Sequence, residues 1–389
     1  MNNFSFYSPT YFAFGKGEEK RVPELVLRFG GSRVLLVYGG GSIKKSGLYA
    51  SITDGLKANG IYFSELSGVK PNPRSGLVYE GIKICKRDKI DFILAIGGGS
   101  VIDTSKAIAA GAKYDGDFWD FFRGERITDA LPVGTVLTIS AAGSEGSPNT
   151  VITNEATMQK WSAGSDVLRP KFSVLNPEFT CTLPAYQTAS GATDIIMHIC
   201  ERYFSNTDGV EVTDRLCEAL FLTMIKETPV AIREPKSYDA RANIMWAGML
   251  AHNNVCGVGR EQDWASHTIE HELSSLYDVA HGAGLAVVAP AWMKYVMTKN
   301  TNKFLQFAVR VWGCQMDFEN PEKTMLEGID RFEKFLRSIG MPTTLAELGA
   351  SVDDIPRLVG NMRIAGGGTI GGFVKLDKDD VTAILKLAN

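Results

Sequence analysis

The sequence predicts an α/β fold in the first half of the chain and an all-helical second half. Short apolar runs at residues 33–38, 61–66 and 91–96 alternate with helical patterns, and two of these runs end in three glycines. Apolar runs separated by helices are typical of βαβ units around a parallel sheet. After residue 176 the pattern changes to long helical periodicities with almost no strand-like alternation. We therefore expect an α/β domain at 1–176 and a helical domain at 177–389.

The remaining elements follow from the same periodicities. In the first half, residues 133–139 and 148–153 resemble further strands, and the aromatic opening segment before Gly15 is expected to add an edge strand. A glycine-rich stretch at 366–372 precedes a last short helix. Apolar residues at a spacing of three to four predict a helix. Helical patterns cover residues 43–59, 75–86, 102–113, 188–204, 208–225, 239–254, 263–277, 302–311 and 321–339.

Composition and charge exclude several classes of protein. The 389 residues are 44% hydrophobic and 22% charged with a net charge of −3, which is typical of a globular chain and leaves no basic footprint for nucleic acid. No run of apolar residues is long enough for a transmembrane helix, and the N-terminus lacks the pattern of a signal peptide. The six cysteines form no C-x-x-C pair. We therefore expect a cytoplasmic protein with reduced thiols and no membrane partner.

Two strand-to-helix turns carry the same tetrapeptide, Gly-Gly-Gly-Ser, at residues 39–42 and 97–100. Glycine lets the backbone approach a ligand closely, and the helix N-terminus that follows attracts phosphate. A tight turn without a ligand explains either motif alone. Two such turns at the carboxyl ends of strands in one parallel sheet instead favour a Rossmann-like dinucleotide-binding domain.

The first turn also bears on the choice of cofactor. A carboxylate near the adenosine ribose would favour NAD and repel the 2′-phosphate of NADP. Here Gly39 and Gly40 leave room for that phosphate, and Lys44 and Lys45 follow, although both lysines could simply be solvated. The sequence therefore predicts NADP rather than NAD.

Two further segments offer polar groups to a cofactor. Asp103 begins the helix after the second turn, where it can orient groups in the cleft or merely complement the helix dipole. In the loop at 138–147, Thr138, Ser140 and Ser144 can donate hydrogen bonds to a ligand. A surface turn is the alternative interpretation of that loop.

The five histidines are the main chemical signal of the second half. Asp194 and His198 lie four residues apart in one helical pattern, His267 and His271 lie four apart in another, and His281 follows. Residues at this spacing share a helix face. An acid with three imidazoles suits a mononuclear Zn²⁺ or Fe²⁺ site, and these five residues are candidates for its four positions. Ordinary structural histidines are the alternative, which is how we interpret the fifth, His252.

Seven ordered stretches together resemble the iron-containing (group III) alcohol dehydrogenase family over nearly the whole chain. The similarity is greatest to its bacterial butanol dehydrogenases and NADPH-dependent aldehyde reductases. The resemblance implies a dehydroquinate synthase-like fold, with a dinucleotide-binding domain followed by a helical metal-binding domain. The stretches are YGGGSIKKSG (38–47), PNPR (71–74), LAIGGGSVIDTSKAIAA (94–110), LTISAAGSE (137–145), TASGATDIIMHICERYF (188–204), ARANIMWA (240–247) and HTIEHELSSLYDVAHGAGLA (267–286).

The family pattern assigns roles to these positions. It places the metal ligands at Asp194, His198, His267 and His281, and makes His271 a candidate proton relay. Many family members carry threonines where this chain has Ile139, Ala141 and Ala142, so hydroxyl contacts there are not expected. With Ser140 added from the loop, the expected cofactor contacts are Gly39, Gly40, Ser42, Asn72, Gly98, Gly99, Ser100, Asp103, Thr138, Ser140 and Lys160.

The implied activity is reversible hydride transfer between NADP(H) and a short-chain primary alcohol or aldehyde of the butanol type. The metal would act as a Lewis acid, and the family forms homodimers. Glycerol dehydrogenase-like and dehydroquinate synthase-like enzymes share the fold and remain alternatives, as does a catalytically silent binding protein. A dehydroquinate synthase would need clustered basic residues for its phosphorylated substrate, and Arg202, Arg215 and Lys226 form no obvious cluster.

Overall fold

A computed structural model describes residues 1–362 and 368–389. The chain divides into two compact units: Tyr7–Thr182, and Leu183–Asn389 together with Met1–Phe6. The predicted glycine-rich stretch at 366–372 lies partly outside the described residues. Among the residues that are described, no helix has both the length and the apolar character needed to cross a bilayer.

The first unit is built on a six-stranded parallel sheet in the order β1-β8-β5-β4-β2-β3, beside a two-stranded antiparallel hairpin of β6 and β7. Its strands are β1 (Tyr11–Phe14), β2 (Arg33–Tyr38), β3 (Tyr62–Leu66), β4 (Phe92–Gly97), β5 (Val133–Leu137), β6 (Asn149–Asn154), β7 (Gln159–Gly164) and β8 (Phe172–Leu175). Its helices are α1 (Val22–Arg28), α2 (Ser42–Lys45), α3 (Leu48–Ala58), α4 (Ser75–Arg87), α5 (Gly99–Ala112) and α6 (Asp120–Arg123).

The central strands are apolar because both faces of the sheet are covered. β4 and β5 are buried along their whole length and β2 along all but its first residue, as expected for parallel strands with helices on both sides. β2 and β4 are direct neighbours, with Val37 opposite Ala95 and Tyr38 opposite Ile96. The two glycine turns follow β2 and β4, so they begin side by side at the carboxyl edge of the sheet.

The second unit is helical, and among its described residues strand-like pairing is limited to one isolated bridge between Ile370 and Leu376. This arrangement confirms the predicted α/β fold with a helical second half. The helices are α7 (Ala185–Tyr203), α8 (Glu211–Arg233), α9 (Tyr238–His252), α10 (Ala265–Tyr277), α11 (His281–Val296), α12 (Thr301–Gln306), α13 (Pro321–Ser338), α14 (Leu345–Leu348), α15 (Ile355–Asn361) and α16 (Lys378–Leu387), with one π-helical turn at Phe307–Val311.

α11 is the central helix of this unit and packs against α7, α10 and α13. Every residue from Gly282 to Met293 is buried. A helix with no polar face lacks amphipathic periodicity, and α11 is absent from the predicted helices for that reason.

Other elements differ from the predictions in ways that local chemistry explains. The helix expected at 43–59 breaks into α2 and α3 because Gly47 has a φ of 79°. The strand expected near 148–153 pairs with β7 in the hairpin rather than joining the main sheet. The short strands β7 and β8 were not predicted. The helix expected at 302–311 ends as the π-helical turn.

Candidate metal centre and cofactor turns

One carboxylate oxygen and three imidazole nitrogens converge in the helical unit. Asp194 Oδ1 lies 3.7 Å from His198 Nε2, 3.6 Å from His267 Nε2 and 3.7 Å from His281 Nε2. Asp194 and His198 lie on α7, His267 lies on α10, and His281 begins α11. Tetrahedral ligands bound at about 2.1 Å lie about 3.4 Å apart, so these separations suit one divalent cation.

The buried polar atoms of this cluster support the same interpretation. Asp194 Oδ1 and His267 Nε2 are buried and have no hydrogen-bond partner. Buried polar atoms without partners are rare in native proteins and need a specific explanation. A cation bound between them supplies one, so the residues present fit the metal that the sequence predicts.

Close packing of α11 brings His281 to the other ligands. An added Cβ on Gly282 would lie 1.9 Å from the carbonyl oxygen of Ser190, one helical turn before Asp194. An added Cβ on Gly284 would lie 2.8 Å from the side chain of Glu270. Glycine at both positions therefore lets α11 approach α7 and α10 closely enough for His281 to face Asp194.

Two buried carboxylates contact the ligand histidines, and neither was predicted from the sequence. Glu201 Oε2 lies 2.5 Å from His267 Nδ1, and Glu270 contacts His281 Nδ1. Each acid lies three residues after a predicted ligand, at His198 and His267, so it shares a helix face with that ligand. This spacing was the available signal, although acids at such spacing are common on helices.

Burial and neighbouring charges shift the pKa values of His198 and His267 in opposite directions. Burial and the neighbouring imidazoles lower the pKa of His198 well below its usual value. Burial also opposes the charged form of His267, but the Glu201 and Asp194 carboxylates outweigh it and raise its pKa to about 10. Burial lowers the pKa of Arg202 to about 10. Three carboxylates, those of Asp194, Glu201 and Glu270, lie against the ligand histidines, and a divalent cation would offset their negative charge.

The two remaining histidines lie at the edge of the cluster. The half-buried His271 has its ring 5.7 Å from that of His281, and it forms a second possible trio of ligands with Glu270 and His281. The ring of His252 lies 4.1 Å from that of His198. The structure therefore brings all five histidines into one region, with the four predicted ligands at its centre.

In the α/β unit, the loop after β5 lies directly against the second glycine turn. An added Cβ on Gly98 would lie 3.2 Å from Ile139 Cβ, and one on Gly99 would lie 2.8 Å from Ala142 Cβ. The backbone N–H of Thr138 donates to Gly97. Ser100 lies in the first turn of α5. The predicted contacts in the glycine turn and in this loop are thus adjacent, and the apolar residues that replace the family's threonines form the packing between them.

Other predicted contacts are placed as follows. Lys160 Nζ donates to Asn72 Oδ1 at 3.0 Å, which joins two residues 88 positions apart. At the first turn, an added Cβ on Gly40 would meet open space, whereas one on Gly39 would lie 3.2 Å from Val69 O. Ser42 begins α2.

Asp103 points into the protein. The Ser144 hydroxyl donates to its Oδ1 at 2.6 Å, and the Val151 N–H donates to its Oδ2 at 3.0 Å. The fully buried Lys106 donates to the carbonyls of Ser144, Ser147 and Asn149 at 2.6 to 2.9 Å. Both oxygens of Asp103 are therefore engaged by protein groups, and its direct contact with a cofactor stays a prediction.

The comparisons with known proteins cover both units. The sequence profile of the iron-containing alcohol dehydrogenases matches residues 9–177, and that of the C-terminal region of the Fe-containing alcohol dehydrogenase family matches 188–389. The chain is 44% identical to the probable NADH-dependent butanol dehydrogenase 2 of Bacillus subtilis, with 99% of each protein covered. It is 38% identical to the NADPH-dependent aldehyde reductase YqhD of Escherichia coli, with 92% of each covered.

A solved structure has the same architecture. The crystal structure of NADH-dependent butanol dehydrogenase A from Thermotoga maritima matches with a TM-score of 0.96 at 44% identity and covers 100% of this chain and 99% of its own. The resemblance predicted from the seven sequence stretches is confirmed, and this chain belongs to the iron-containing alcohol dehydrogenase family of oxidoreductases.

Proposed function

We propose that the chain catalyses reversible, metal-dependent hydride transfer between a nicotinamide cofactor and short-chain primary alcohols or aldehydes of the butanol and butyraldehyde type. The carrying observation is the convergence of three imidazole nitrogens on one buried carboxylate oxygen at 3.6 to 3.7 Å. Relatives at 38 to 44% identity that are named butanol dehydrogenases and an aldehyde reductase support this substrate class.

In this proposal the helical domain, residues 177–389, holds a divalent cation through Asp194, His198, His267 and His281. When bound there, the cation would supply Lewis-acid polarisation of the substrate oxygen, and a bound nicotinamide would supply or accept the hydride. Reduction of an aldehyde also consumes one proton. His271 delivers it, because its half-buried imidazole lies 5.7 Å, ring to ring, from the ligand His281.

The α/β domain, residues 1–176, binds the dinucleotide at the edge of its sheet. The α5 N-terminus with Gly98, Gly99 and Ser100 takes the pyrophosphate, because free N–H groups and the helix dipole favour anions there. The neighbouring loop, with Thr138 and Ser140, and the Asn72–Lys160 pair supply further hydrogen bonds. Their placement beside the turn or in mutual contact supports these roles.

The proposed cofactor is NADPH. The open space at Gly40 and the two lysines after the first turn support it, whereas the names of four relatives at 41 to 44% identity favour NADH. Gly39→Asp should lower kcat/KM for NADPH about tenfold or more relative to NADH, because a carboxylate repels the 2′-phosphate. Gly39→Asn is the uncharged control of similar shape. Equal losses with the two cofactors would contradict the preference.

The deciding experiment follows NADPH and NADH oxidation with butyraldehyde before and after chelation, and after Fe²⁺ or Zn²⁺ is restored. We expect activity that the chelator removes and one of the two metals returns. Activity that survives complete metal removal would refute the proposal. Cofactor binding without turnover would indicate a silent binding protein, and oxidation of glycerol in preference to butanol would favour the glycerol dehydrogenase alternative.

We further propose a homodimer in the cytoplasm that contains Fe²⁺ or Zn²⁺. All six cysteines are free thiols, which supports a reducing compartment. Three imidazoles and one carboxylate suit either metal. Light scattering of the purified protein gives the oligomeric state, and elemental analysis identifies the bound metal.

A further inference from the structure

We propose that Glu201 and Glu270 are positioning residues of the metal centre. Each holds the Nδ1–H tautomer of one ligand histidine and so presents its Nε2 atom to the cation. This inference rests on the proposed metal centre, and it assigns a function to two carboxylates that the ligand set leaves unexplained.

Glu201 binds two parts of the same histidine. Its Oε1 accepts the backbone N–H of His267 at 3.0 Å, and its Oε2 lies 2.5 Å from the ring Nδ1. Its own backbone carbonyl accepts the N–H of Asp263, and its side chain is 2% exposed. The carboxylate therefore sets both the main-chain position and the ring orientation of His267.

Glu270 holds His281 in a similar way from the facing helix. One carboxylate oxygen contacts His281 Nδ1, and the other accepts the hydroxyl of Ser274 one turn along α10. The side chain is fully buried and packs against Gly284 of α11. These contacts leave the carboxylate little freedom to turn away from the imidazole.

The geometry has a direct consequence for the tautomer. A neutral imidazole has one N–H, and a carboxylate beside Nδ1 places that proton there, so Nε2 keeps its lone pair for a metal. Both Nε2 atoms lie within 3.7 Å of Asp194 Oδ1. His198 differs, because among the described residues its ring pairs with the ligand Asp194 through Nε2 rather than with a second acid at Nδ1. Two of the three imidazoles are therefore held by acids.

The test uses Glu201→Gln and Glu270→Gln in the full chain and measures Zn²⁺ affinity by competition with a chromophoric chelator. Glutamine keeps the shape but removes the charge. We expect each variant to bind Zn²⁺ about 10- to 100-fold more weakly than the wild type, as is typical when a hydrogen-bond partner of a ligand histidine is lost.

Glu218→Gln is the matched control. Glu218 is a buried carboxylate of the same unit, but it contacts Tyr203, Gln306 and Arg310 rather than the histidines. Its variant should keep wild-type affinity for Zn²⁺. The melting temperature of each metal-free variant serves as a second readout, because it shows whether a variant that binds Zn²⁺ weakly is still folded.

Zn²⁺ affinity within about twofold of wild type in both variants would overturn the proposal. It would also be overturned if Glu270→Gln and His271→Ala abolished Zn²⁺ binding while His267→Ala kept it, since Glu270 would then be a ligand. Should one variant fail to fold, the other provides the same test. Because the assay needs no turnover, its outcome is distinct from failure of the proposed dehydrogenase activity.

Discussion

The two units of this protein each bury a cluster of charged side chains, and the clusters differ in how their polar atoms are satisfied. In the α/β unit, Lys106 is fully buried, and its ammonium donates to three backbone carbonyls and to the Ser144 hydroxyl. Asp103 accepts one hydrogen bond on each carboxylate oxygen. Groups of the protein itself therefore satisfy the hydrogen bonding of both side chains.

In the helical unit, some buried polar atoms of the cluster have no hydrogen-bond partner within the protein. Asp194 Oδ1 and His267 Nε2 are buried without hydrogen-bond partners, although three imidazole nitrogens lie around that oxygen. In sequence the two clusters look alike, since each begins with an acid and a basic residue one turn apart on a helix. The comparison teaches that unsatisfied buried atoms, rather than charge or burial alone, distinguish a ligand site from a structural network.

The largest expected effect comes from removing an unsatisfied ligand atom. His267→Ala should lower bound metal sharply and reduce kcat/KM by about 10³-fold, because Lewis-acid stabilisation is worth several kcal/mol. Elemental analysis and steady-state kinetics measure the two effects. His271→Ala on the same helix is the matched variant and should keep its metal while turnover falls. Full metal content and full turnover in His267→Ala would refute the ligand assignment.

The second prediction concerns the Asp103 and Lys106 cluster of the α/β unit. Lys106→Met leaves Asp103 buried without its compensating charge, so we expect a loss of about 3–5 kcal/mol in the free energy of unfolding. Zn²⁺ affinity should be unchanged. Lys294→Met removes an exposed ion pair with Glu333 and should cost only about 0–1 kcal/mol. Urea denaturation measures the two changes in stability, and competition with a chromophoric chelator measures the Zn²⁺ affinity. Equal losses of stability in the two lysine variants would contradict the structural role of Lys106.

The smallest expected effect is a pH dependence of the stability, caused by the buried Glu145 near Lys106 and Asp103. Burial raises the pKa of Glu145 from its usual 4.5 to about 7. The folded protein therefore binds this proton more tightly than the unfolded chain, and it loses stability as the pH rises from about 4.5 to 7. Glu145→Gln removes that contribution, so its stability relative to wild type should rise by about 1–3 kcal/mol over this range. A difference that stays constant with pH in denaturation measurements would contradict the shift.

The prediction of elements from sequence succeeded where each helix has a polar and an apolar face. The helix expected at 321–339 is observed at Pro321–Ser338, because α13 alternates buried and exposed residues at helical spacing. α11 was not predicted, because its buried residues surround the helix and leave no periodic signal. The hairpin strand β7 was missed because its short, mostly polar segment gains its stability from pairing with β6.

The residues of the candidate site also fall into two groups, those that the sequence predicted and those that it did not. Scarcity and spacing of the histidines, together with the family resemblance, selected Asp194, His198, His267 and His281, and the structure places these four side chains together. Glu201 and Glu270 were not predicted. An acid three residues from a histidine is a frequent pattern on helices, and only the direction of its side chain distinguishes a partner from a solvated charge.

The sequence by itself determined the family, the division into α/β and helical halves, and the residue types able to bind a metal and a dinucleotide, because these follow from local periodicity and from motifs contiguous in the chain. The tertiary structure decided which polar atoms stay unsatisfied and which histidines acquire carboxylate partners. Those properties depend on close contacts between distant segments, such as Gly282 against Ser190. Such contacts arise only when whole helices pack, so no local pattern encodes them.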